Sequence, residues 1–337
     1  MAISARRLAL GAAGLVAGAC ALAASGRSGR QVHAPDPDTA IDAHALAVPA
    51  NARNSVAALA ATLTGPARGE REKARAIYCW IATNIGYASK EALPDAQSDS
   101  SAEAVLKRGT AVCAGFSDLF TALAHAAGLE AESINGYAKG VGYRAGGRIS
   151  GPTNHAWNAV KIDGEWRLVD CTWGAGSVEN GVYVKRFSAF YFLTPPRAFA
   201  WLHFPTDPRW QLLDAPMTLA EFEDLPVVRV PFFEYGLSLP SHTSARITPT
   251  TSHVRIRVDA PRDVLVIAGS RCGSGAGFPQ SLPVRSRGGR HWITVDAARN
   301  QDCFVGVFAT RASERDHNTL DYHWAVEYRL TALRVVE

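Results

Sequence analysis

Three residues in this 337-residue chain have the types and order needed to activate a thiol: Cys113, His155 and Asp170. A cysteine sulfur attacks as the thiolate, so it needs a group to take its proton and surroundings that favour the anion. An imidazole can take that proton, and a carboxylate can hold the imidazole's tautomer and stabilise its positive charge. The chemistry such a set would perform is attack on a carbonyl, giving acyl transfer.

The set works only if local structure brings it together, and the chain around each residue supplies candidates. Thr110 can cap a helix running to about Ala127, with Phe116, Leu119, Phe120 and Leu123 as one apolar stripe and Gly128 as its stop. Cys113 then falls near the third helical position, where unpaired amides and the positive end of the helix dipole lower a thiol pKa. Taken alone, the position of Cys113 favours a small buried thiol on the Phe116 and Phe120 face over a nucleophile. Residues 155–162 and 165–172 flank Asp163-Gly164, a strong hairpin signal. A two-residue turn there pairs Ile162 with Glu165 and sets His155 opposite Thr172, with Asp170 two residues along on the same face. Diagonal neighbours on a sheet lie about 7–8 Å apart, within reach of an imidazole and a carboxylate. The competing account is an ordinary cross-strand pair.

Other elements frame these. Residues 70–85 repeat apolar side chains at helical spacing (Ala74, Ile77, Tyr78, Ile81, Ile85) before Gly86, and Ser100 with Glu103 fits a capping box for a short helix ending at Gly109. Residues 190–212, aromatic and Pro-rich, are expected to wrap the first domain. From Pro226 onward the runs VVRVPFF, HVRIRV, VLVIAG, HWITVD, CFVGVFA and HWAVEYRL suggest six short strands of a β-sandwich.

The stretch GTAVCAGFSDLFTALAHAAGLEAESINGYAKG followed by NHAWNAVKIDGEWRLVDCTWG resembles the transglutaminase-like superfamily of papain-related cysteine enzymes. YFLTPPRAF, HFPTDPRWQLL and FFEYGLSLPSH are similar to segments that follow the core in its kyphoscoliosis-peptidase branch, so the likeness spans roughly residues 55–245. The resemblance implies an α+β papain-like core, helices packed on an antiparallel sheet, with Cys113 as nucleophile, His155 as base and Asp170 as orienter. Trp157 and Trp173 match aromatics that flank the His and Asp motifs, as cleft wall or as core. The family runs hydrolysis and transamidation from one acyl-enzyme, and some members of the branch are binding scaffolds, which is the alternative reading here. An oxyanion hole would take the Cys113 N–H as its first donor; Trp80, Asn84 and Asn154 are the candidates for the second, each of which also has a structural reading.

Composition limits the rest. Hydrophobic residues make up 47% and charged residues 20%, enough to bury cores and too balanced for a disordered chain. A net charge of +4 from scattered residues makes no nucleic-acid footprint. Arg6 and Arg7 before the apolar run 8–24 read as an export leader, with Cys20 in a loose lipoprotein box, so a periplasmic or extracellular placement is expected. The expected layout is leader 1–24, flexible linker 25–50, catalytic domain 51–212 and β-sandwich 213–337, with a protein or peptide substrate and no cofactor. Five cysteines lie beyond the leader; Cys272 and Cys303 are placed to close a loop of about 30 residues, while Cys79 and Cys171 read as packed thiols. His203, His242, His253, His291 and His323 lack zinc-motif partners, so no metal is expected. Gly140-x-Gly142-x-x-Ala145 reads as a loop near the site and not a dinucleotide fingerprint, since no helix pattern follows it.

Overall fold

The computed structural model describes residues 38–88, 99–179, 181–273, 277–298, 301–314 and 320–333. The leader reading, Arg6, Arg7 and Cys20 included, lies outside the described residues. Residues 38–50 depart from the linker expectation. They open with helix α1 (Thr39–Leu46), whose Ile41 and Ala45 are buried. Asp38 and Asp42 flank the buried Arg75 guanidinium, with Asp42 taking both Nε and Nη2 at 2.7 Å. That buried pairing, which joins segments 33 residues apart, is what holds an Ala-rich helix with little pattern of its own.

Helix α2 (Val56–Thr64) is capped by Ser55, and α3 (Glu70–Asn84) follows the expected stripe. The short α4 (Ala102–Arg108) is capped by Ser101 rather than Ser100, whose hydroxyl instead bonds Asp118 at 2.6 Å. Gly109 ends it at φ +74°, a left-handed conformation that glycine adopts without a Cβ clash. Thr110 does not cap the next helix either. It pairs with Gly86 in a parallel two-residue ladder of β1 (Gly86–Tyr87) and β2 (Thr110–Ala111), so α5 (Cys113–Ala126) begins after an extended Val112 with no side-chain cap. Phe116, Leu119, Phe120 and Leu123 are fully buried along α5, each stabilising the core by roughly 1.5–3 kcal/mol.

A five-stranded antiparallel sheet lies against α5. Its centre is β3 (Ala131–Ala138), β4 (His155–Ile162) and β5 (Glu165–Val169), and its edges are Phe192–Thr194 beside β5 and His203–Pro205 beside β3. The 190–212 segment therefore extends this sheet at both edges as well as wrapping it. Polar bonds fasten α5 to β4: Ser117 Oγ donates to the Trp157 carbonyl at 2.9 Å, and Asn158 Nδ2 donates to the Ser117 carbonyl at 3.0 Å and Thr121 Oγ1 at 2.9 Å. These buried bonds fix the helix bearing Cys113 against the strand bearing His155.

The C-terminal part is a sandwich of a six-stranded and a three-stranded sheet. In the run VVRVPFF only Val227–Val228 is strand, because Pro231 sits at the start of the helix Val230–Glu234. Cys272 and Cys303 face each other across the antiparallel pair Val264–Cys272 and Cys303–Arg311 and are disulfide-bonded over a separation of 31 residues. Replacing both with Ala should lower stability by roughly 3–4 kcal/mol on the chain-entropy account, read as a lower urea midpoint. An unchanged midpoint would show that the bridge constrains little.

Candidate active site

The hairpin places His155 at the start of β4 and closes through Asp163 (φ +50°) and Gly164 (φ +83°), with Ile162 paired to Glu165. Beyond Val169 the second strand does not continue. Asp170 is the N-cap of a short helix, α6 (Cys171–Ala175), and its Oδ1 accepts the Trp173 N–H at 2.9 Å. The expected Thr172 pairing is thus replaced by a helix turn, and this turn aims the second carboxylate oxygen inward. Asp170 Oδ2 accepts from His155 Nε2 at 2.8 Å. The ring's other nitrogen, Nδ1, is free of Asp170, and Cys113 lies near enough to the imidazole and to the Ala156 amide to interact with both electrostatically.

Cys113 is the first helical residue of α5, two positions earlier than expected, and is half-buried and reachable, whereas His155 and Asp170 are buried. Burial pushes the Cys113 thiol up, but the hydrogen bond and charge of His155 and the Ala156 amide outweigh it, and the net direction is down. Burial pulls His155 down, yet the adjacent Asp170 carboxylate and the thiol raise it to about 10. Burial alone would raise Asp170, and the His155 charge and bonds from both imidazoles hold it well below the usual carboxylate range. Each of the three shifts runs toward the charged form: thiol toward thiolate, imidazole toward imidazolium, carboxyl toward carboxylate.

The second imidazole belongs to His203. Its Nε2 lies 3.0 Å from the same Asp170 Oδ2, and its ring is fully buried against Phe199, at 3.9 Å between centroids, and Trp173, at 4.6 Å. Sequence reasoning left His203 among scattered histidines; only the edge pairing of His203–Pro205 with β3, opposite Ala138, brings it in. Gly136 permits that pairing, since a Cβ there would collide with the Phe204 carbonyl and the Trp157 ring. His155, Asp170 and His203 present ligand atoms within 4.8 Å of one another and could hold a metal ion only by giving up both carboxylate hydrogen bonds.

Trp157 is 1% exposed and packs with Ile134, Leu168 and Phe199, so it is core, while the half-buried Trp173 covers the His155 ring at 5.2 Å. Asn84 and Asn154 are engaged elsewhere: Asn84 bonds the Trp80 carbonyl and Arg53, and Asn154 bonds both the N–H and the C=O of Ala138. The Trp80 Nε1 is buried and bonds no protein acceptor. Cys79, pushed up to about 12 by burial, and the buried Cys171, also raised by burial, are inert packed thiols.

Loop 139–154 joins β3 to β4 and borders this site, with Gly140 against the Trp173 indole. It is anchored on the C-terminal domain: Glu327 accepts the Ala145 N–H at 2.9 Å and pairs with Arg144 at 2.7 Å, and Glu223 accepts the Ile149 N–H and Arg148, both at 2.6 Å. Ala145 is fully buried with Val227 and Ala245. Lys139, whose ammonium burial pulls down to about 7, donates to the Leu225 carbonyl at 2.7 Å.

A helix carrying a half-buried cysteine, packed on an antiparallel sheet that supplies His and Asp, is the architecture of a transglutaminase-like domain, and residues 57–171 match the model of the transglutaminase-like superfamily. Residues 219–268 match the model of the KY-like immunoglobulin-like domain. It is 35% identical over 199 residues to kyphoscoliosis peptidase of Mus musculus, covering 58% of this chain and 29% of that protein. It is 32% identical over 242 residues to hillarin of Drosophila melanogaster, covering 66% of this chain and 29% of that protein. The chain thus spans under a third of the length of these relatives. A solved structure of a TGase overlaps 49% of this chain and 38% of that chain at 23% identity and a TM-score of 0.26. Among the described residues no helix is long and apolar enough to cross a membrane.

Proposed function

We propose that the protein is a cysteine acyl-transfer enzyme acting on protein or peptide amides, with Cys113 as nucleophile, His155 as base and Asp170 as orienter. The observation that carries this reading is a buried imidazole 2.8 Å from a buried carboxylate, with the Cys113 thiol close enough to interact with that imidazole. The Cys113 proton passes to His155 Nδ1 and the sulfur bonds the amide carbonyl carbon. The resulting oxyanion takes the N–H of Cys113 at the start of α5. As the C–N bond breaks, His155 returns the proton to the leaving amine, and a thioester remains on Cys113. Water then gives a carboxylic acid, whereas a primary amine gives a new amide. Hydrolysis is the favoured outcome.

Placement outside the cytoplasm is part of the same proposal, supported by the Arg-led apolar run 8–24 and the Cys272–Cys303 bridge, since such bonds persist in oxidising compartments. The deciding experiment runs a peptide-hydrolysis panel beside incorporation of a labelled primary amine into a glutamine-containing protein, with Cys113→Ala as control. Cleavage without incorporation is expected. Incorporation exceeding cleavage would make it a transamidase, and neither activity, with an unreactive Cys113, would favour a binding scaffold.

A further inference from the structure

We infer that His203 is a positioning residue for the site: its Nε2–H, donated to Asp170 Oδ2, keeps that oxygen turned toward His155, so that the proton taken from Cys113 stays on His155. The inference rests on the functional reading above and adds to it a member that the hairpin does not contain.

Two imidazoles meet one carboxylate oxygen here, at 2.8 Å and 3.0 Å, and the remaining oxygen is held by the Trp173 N–H at 2.9 Å. With three donors the carboxylate has a fixed orientation; with two it could turn about its last bond. One buried negative charge can compensate one imidazolium, and a second cation beside it would meet repulsion and a large desolvation cost. The surroundings decide which ring is charged. His203 is enclosed by Phe199, Trp157 and Trp173, and burial together with the neighbouring His155 brings it to about 4, so it donates as a neutral ring. His155 has in addition the Cys113 thiol close by, which favours its cation. Tyr78, Tyr191 and Cys171 also lie near the carboxylate, and burial pushes each of them up, so they stay uncharged. The two imidazoles are left to answer the carboxylate's charge, and His203 answers it with a hydrogen bond alone.

Two substitutions separate donation from packing. His203→Phe keeps an aromatic ring against Phe199 and Trp173 but removes the donor, whereas His203→Gln keeps an N–H donor and removes the ring. The readout is the rate of Cys113 alkylation by iodoacetamide against pH, which reports thiolate without requiring turnover, alongside kcat/KM on a cleaved peptide. The expected result for His203→Phe is a thiolate midpoint at least one pH unit higher and kcat/KM at least tenfold lower, with His203→Gln within threefold of wild type. An unshifted midpoint in His203→Phe, or an equal shift in both variants, would overturn the inference and leave His203 as a packing residue. If instead wild-type Cys113 titrates as an ordinary thiol near pH 8.5, the failure lies with the acyl-transfer reading itself.

Discussion

Replacing Cys113 with Ala is expected to abolish turnover, by a factor on the order of 10⁶ where the sulfur forms the covalent intermediate. The same change should remove labelling by iodoacetamide near neutral pH, because the remaining described free thiols, Cys79 and Cys171, are buried and held protonated. Stability should change little. Cys113 is half-buried at the first position of α5, and the stripe that holds the helix begins at Phe116. In the wild type, alkylation should persist well below pH 8.5, since His155 favours the thiolate. Persistent peptide cleavage by Cys113→Ala at an unchanged rate would remove the nucleophile from the account.

Asp170→Asn should damage both chemistry and fold. The amide can still accept the Trp173 N–H, but it turns an NH₂ toward one or both imidazoles in place of an acceptor. Without the carboxylate, burial governs His155 and pulls it below its ordinary value, so the thiolate is lost. A fall in kcat/KM of about 10⁴ is expected, as when a triad carboxylate becomes an amide. The fully buried carboxylate also caps α6, and breaking its pairing should cost on the order of 3 kcal/mol, measured by urea unfolding. The pH dependence gives a second check. His155 is raised above the ~6.5 of a free imidazole, so the stability it contributes is full below about pH 6.5 and is lost as pH rises through the raised value, about 10. The lowered Cys113 thiol acts in the opposite sense across the neutral range, so the measurement belongs in the Cys113→Ala background. There the urea midpoint should decline as pH rises above about 6.5, over a narrower window than in the wild type because the thiol's share of the upward shift is gone, and Asp170→Asn should flatten that decline. Identical slopes with and without the carboxylate would mean that the pair contributes no ionic stabilisation.

The site was readable where chemistry follows from local pattern. Asp163-Gly164 gave a two-residue turn and the Ile162–Glu165 register, and with them the nearness of His155 and Asp170. The apolar stripe of α5 gave the helix, though not its start. Ser100 and Ser101 are neighbouring capping hydroxyls, and a tertiary partner chooses between them, since Asp118 takes Ser100; Thr110 is drawn into the ladder with β1, and α5 begins after Val112 with no side-chain cap. His203 carries no local signal at all. It reaches Asp170 through sheet pairing across 33 residues, a contact that spacing along the chain cannot report. The same holds for α1, whose buried Arg75 pairings with Asp38 and Asp42 are made by a helix distant in sequence. Residues of the sandwich were legible as strands because their alternation is strong, while Pro231 imposed a helix inside a run that read as extended.

The bracing of loop 139–154 bears on how interchangeable the two halves are. The backbone leaving β3 travels out to the second domain and comes back at Asn154, immediately ahead of the base, with Glu223 and Glu327 gripping it on the way. A chimera in which another immunoglobulin-like module replaced this one would therefore need both carboxylates at matching places, or the segment delivering His155 would lose its moorings. The boundary expected near residue 212 would then be a seam in the chain but not a seam in the working parts.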